Sequence, residues 1–223
     1  AVLSYAAKRG DFPEWAWRRF LNSEARKNDK TKLIWLIAER LTRYPNEQLA
    51  TILRPATDWL RDASAKLSIA CLPTFDGILK KLIAVLCESP NEGRSGIVRG
   101  SKNPDWTMEA INSPIGKIAE ALFHDPRKDD LDRNQGLPSE WLAHVEALLT
   151  LSDDLRRHSL VILFHNLNWF FAVDPKWTEQ LLLPALQGSE TDDRDAAWSG
   201  FLWGATTPNR ELYMRLKDDM LEF

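Results

Sequence analysis

Apolar residues three and four positions apart recur along almost the whole chain, and very little of it alternates with the period of two that a half-buried strand needs. β-Branched runs are few, and no Asn-Gly pair stands ready to close a hairpin. The pattern predicts an all-α protein of stacked antiparallel helix pairs, arranged as a HEAT-like α-solenoid or as an irregular helical bundle. A chain of 223 residues is long enough to bury a large core without disulfides or a structural metal.

Proline sets the boundaries. A first helix is expected from Pro13, with Trp15, Trp17, Phe20 and Leu21, and a second over about 30–43, capped by Asn28 or Asp29. A short helix then runs to Pro55, and another follows with Trp59, Leu60 and Leu67. Phe75, Leu79, Leu82 and Leu86 form a core-facing stripe at 73–88. Residues 89–105 are rich in Pro, Gly, Ser and Asn without helical period, and read as a loop. Beyond it the sequence predicts a short helix at Trp106–Ile111, one opened by Ser113-Pro114, one opened by Pro138 and Ser139, and one capped by Ser152-Asp153. The segment SLVILFHNLNWFFAV is apolar nearly all round and is expected at the centre of the core. A helix from Asp174-Pro175, bent at Pro184, and two more helices complete the chain.

Residues 1–223 are thus expected to form one helical array, divided by the 89–105 loop into halves of opposite charge. Residues 1–104 hold 18 basic against 11 acidic side chains, a net +7, and the rest of the chain carries −10, within an overall −3. A basic half admits nucleic acid as a partner. The charges are scattered over helix faces, however, which favours a protein partner or another domain of a longer chain. The chain begins with Ala, its last segment still reads as helix, and no apolar run approaches the roughly 20 residues of a membrane span. These features suggest a piece of a larger cytoplasmic protein. Cys71 and Cys87, in apolar helical surroundings and outside any CxxC spacing, are expected as reduced, buried thiols.

No residue set carries a catalytic signature, and no catalytic, cofactor-binding or metal-ligating residue is assigned. His124, His144, His158 and His165 fit no zinc motif, although His158 and His165, seven apart, share a helix face. The acidic groups Asp129, Asp130, Asp132 and Asp192, Asp193, Asp195 lack calcium-loop spacing and read as solvated or capping carboxylates. The one sequence that offers free N–H groups and cations to a phosphate or nucleic acid is GRSGIVRGSK. It places Arg94, Arg99 and Lys102 among Gly93, Gly96 and Gly100, without the spacing of a phosphate-binding loop. Ten tryptophans, mostly where the pattern wants an apolar residue, are expected between helix layers.

The stretches GDFPEWAWRRFL, LIAERLTRYPNEQLATILRPATDWL and NSPIGKIAEALF resemble the helical domain of unknown function found toward the C-terminal end of large bacterial sirtuin-like proteins. Such proteins join an N-terminal NAD-consuming module to a long helical region, and several kinds act in anti-phage defence. The resemblance implies a non-catalytic scaffold, oligomerisation surface or sensor. It transfers no NAD-binding residue, because nothing here matches the glycine-rich segment or catalytic His of a sirtuin domain.

Overall fold

A computed structural model describes residues 2–24, 30–99 and 103–222, and among these every regular element is helical. The all-α expectation holds, in the form of an irregular bundle. No helix among the described residues is long and apolar enough to cross a membrane. Instead of one array with a single break, the chain divides into two compact units, Ala1–Ser95 with Ser113–Arg127, and Gly96–Asn112 with Lys128–Phe223. The 89–105 loop is therefore no simple boundary. It contributes to both units, and the chain passes between them three times.

The first unit contains α1 (Val2–Arg9), α2 (Glu14–Leu21), α3 (Thr31–Thr42), α4 (Asn46–Thr51), α5 (Leu53–Ser64) and α6 (Leu72–Glu88). The intervening α7 (Trp106–Ile111) belongs to the second unit, and α8 (Pro114–Leu122) returns to the first. Phe75, Leu79, Leu82 and Leu86 of α6 are fully buried and pack against α3, where Trp35 meets Phe75 edge-on at 6.2 Å. Each such side chain contributes about 1.5–3 kcal/mol by leaving water. On α8, opened by Pro114 and capped by Ser113 Oγ accepting from Gly116 N at 3.0 Å, Ile115, Ile118 and Leu122 are fully buried and face α5. Sequence neighbours are thus not the main packing partners, whereas in a HEAT array each repeat contacts only the next.

Three local expectations need correction. α1 lies ahead of the first helix that the sequence announces at Pro13, and its end is marked by Gly10 at φ 73°, beyond which Asp11 N donates to the Ala6 carbonyl at 3.0 Å. Pro55 sits in the first turn of α5 and does not end a helix, since its missing N–H removes no helical hydrogen bond there. Leu67 lies beyond the end of α5. Asn28 and Asp29 fall outside the described residues.

The second unit adds α9 (Ser139–Leu149), α10 (Asp153–His165), α11 (Leu167–Val173), α12 (Pro175–Trp177), α13 (Pro184–Gln187), α14 (Thr191–Trp203) and α15 (Arg210–Glu222). The apolar segment 159–173 is two helices, broken at Asn166, and α10 takes the expected central place with Ser159–Phe164 all buried. Its main partner is α14, and the close approach requires Gly200. A Cβ built there would stand 2.2 Å from the Val161 carbonyl oxygen and 2.7 Å from its Cα. Ser152 holds the N-cap position of α10 without making the capping hydrogen bond. Asp174 does cap α12, accepting from Trp177 N at 3.0 Å, and a π-helical turn at Thr178–Leu182 precedes Pro184.

Candidate interaction surface

The residues singled out for anion binding are not gathered in one place. Arg94 belongs to the first unit and Arg99 to the second, and Lys102 with Gly100 lies outside the described residues. Arg94 is exposed in a cleft of about 450 Å³ that it shares with Arg18 and Arg54, but also with Asp58 and Glu92. Arg18 there pairs with Glu14 at 2.7 Å and donates to the Thr51 carbonyl, and Arg54 Nη2 donates to the Arg94 carbonyl at 2.8 Å. Much of that cationic capacity is already used inside the fold.

Arg99 is a clamp. Its Nε and Nη2 reach both oxygens of Glu109 at 2.6–2.9 Å, its Nη2 lies 3.0 Å from Asp154 Oδ2, and its guanidinium stands 4.9 Å over the Trp106 ring. Glu109 is 2% exposed, so this bidentate pairing keeps an otherwise isolated charge in the interior. His158 lies beneath it, with Nε2 3.5 Å from Glu109 Oε2 and neither imidazole nitrogen in a well-formed hydrogen bond among the described residues. Burial pushes the His158 pKa down, against the pull of Asp154 and Glu109, and burial also lowers that of His165. At 1% exposed, His158 is beyond the reach of a substrate. The cluster is a structural brace, continued by Arg157, which binds Asp154 and Asp193, the latter in the acidic first turn of α14.

No group of three or more His, Cys, Asp or Glu side chains among the described residues is placed to hold a metal ion. The cysteines are both free, but their expected burial is not met: Cys71 is half-buried and Cys87 exposed, one helical step off the α6 core stripe.

What stands open is an apolar groove of about 490 Å³ at α1, α2 and α3. α2 buries Ala16, Trp17 and Leu21, with Trp17 Nε1 donating to the Tyr44 hydroxyl at 3.3 Å. Two residues apart on a helix means about 200° apart around it, so Trp15 cannot share the core with Trp17, and it is 66% exposed. On α3 the core takes Ile34, Trp35, Ile37, Ala38 and Leu41, yet Leu33 and Leu36 remain 40% and 42% exposed. Leu33, Leu36 and Arg40 sit at i, i+3 and i+7, and Trp15 and Arg19 at i and i+4. Each helix therefore offers the groove an apolar stripe with one guanidinium.

Val2 and Leu3 of α1 extend the lining, which among the described residues contains Arg19 and Arg40 but no carboxylate. Trp15 was expected in a helix layer with the other tryptophans. The incompatible placement of Trp15 and Trp17 on one helix was the available sequence signal of a second apolar face. A shallower apolar surface at Leu202, Tyr213 and Met220 in the second unit has no charged residue in its lining. No family model, curated protein or solved structure matches the chain.

Proposed function

We propose that this chain is a non-catalytic protein-interaction module, a scaffold or sensor belonging to a larger bacterial protein of the sirtuin-like defence type that its sequence resembles. The observation that carries this reading is the α1–α3 groove, where an exposed tryptophan and two exposed leucines line one concave surface. Apolar side chains scattered singly over a surface are ordinary, but a contiguous set in a groove marks a contact site. Tryptophan is also the residue type that most often dominates binding energy when a partner covers it.

Affinity capture with the purified chain, from cells that express the full-length parent, tests the reading. A partner retained by the wild type and by Thr150→Ala, an exposed change in the second unit, but lost with Trp15→Ala plus Leu36→Ala, is the expected result. Equal retention by the groove variant would move the interaction elsewhere on the molecule. Measurable turnover of a substrate without any retained protein would contradict the module reading.

A further inference from the structure

The lining of the α1–α3 groove is selective in charge as well as apolar. Arg19 and Arg40 are its only charged members, and neither has a carboxylate partner among the described residues, in contrast to Arg9 and Arg18 nearby, which pair with Asp11 and Glu14. Resting on the reading of this surface as a docking groove, we propose that its occupant is an acidic amphipathic helix of a partner protein. Apolar residues of that helix, repeating at i, i+3 or i+4 and i+7, seat against Trp15, Leu33 and Leu36, and its flanking carboxylates meet Arg19 and Arg40.

The apolar contacts supply most of the affinity, because burial of a tryptophan and two leucines outweighs two solvent-facing ion pairs. The arginines supply selection: a carboxylate at each is favourable, and an ammonium placed against each guanidinium is repelled. A second copy of this chain is the weaker candidate, since α15, the alternative helix to insert, sets Arg210, Arg215 and Lys217 against four acidic residues and so is nearly neutral.

The test uses two fluorescein-labelled helix-forming peptides of about 15 residues, identical in their Leu and Phe stripe, one flanked by Glu and the other by Lys at the same positions. Binding to the full chain is followed by anisotropy at low and high salt. The acidic peptide is expected to bind about tenfold more tightly than its Lys twin, with the preference shrinking in salt. Arg19→Glu plus Arg40→Glu is expected to reverse the preference, while Trp15→Ala weakens both peptides. Circular dichroism confirms that the variants, all at exposed or half-exposed positions, keep their helices.

Equal binding of the two peptides, still lost in Trp15→Ala, would overturn the acidic partner and leave the groove as a docking site. Binding of neither peptide overturns the proposal, and the capture experiment then decides separately whether the groove binds any protein. A concentration-dependent dimer that Trp15→Ala dissolves would assign the groove to a second copy. Adsorption to phosphatidylserine vesicles in place of peptide binding would assign it to a lipid surface.

Discussion

Single side chains in this protein are held by charge as much as by packing. Arg127 binds Asp125, which is fully buried, through Nε and Nη2, and Asp76 of α6 through Nη1 and Nη2 at 3.1 and 2.6 Å. Removing it in Arg127→Ala leaves a buried carboxylate uncompensated, and chemical denaturation should show a loss of about 3–5 kcal/mol. Replacing Asp125 by Asn in the same chain should recover part of that loss. His158 gives a pH signature. Its folded pKa lies below the ordinary 6.5, so below that pH the unfolded chain takes up a proton that the folded chain refuses. Stability therefore falls as pH drops through about 6.5, by at most about 1.4 kcal/mol per pH unit from this residue. In His158→Gln, thermal melts between pH 7 and 5 should show a shallower decline, and an unchanged slope would assign the acid sensitivity to other groups. None of this was legible in the sequence, because Glu109 and His158 are 49 positions apart and nothing local marks the buried carboxylate.

At the scale of elements, the sequence is most informative where a chemical signal is local. Ser113-Pro114 opens α8, the 73–88 stripe becomes α6, and the apolar segment from Ser159 supplies the buried run of the central α10, all without knowledge of a partner. It is least informative about which helix packs on which. α14 shows no strong apolar stripe, yet it is the main neighbour of α10, and Gly200 is the reason they come so close. An alanine there gains roughly 1 kcal/mol of helix propensity. The atoms in its way are backbone, which no rotamer change can clear, so the overpacking cost of about 1–3 kcal/mol, occasionally more, should win. Gly200→Ala is expected to lower the thermal midpoint, and a raised midpoint would show that α10 and α14 can separate freely.

For the whole molecule, the fold class followed from periodicity while the partition into two units did not, since crossings at 95/96, 112/113 and 127/128 depend on contacts that no local pattern encodes. The same applies to function. The glycine-rich loop is conspicuous in composition alone, whereas the open surface arises because three short helices leave more apolar residues than their shared core covers. A photo-crosslinker placed at position 36 tests this most directly, with the protein expressed in its own cells and the same probe at Thr150 as the comparison. The groove account predicts one dominant protein adduct from position 36 that Trp15→Ala abolishes. Adducts no more abundant or specific than those from position 150 would contradict it.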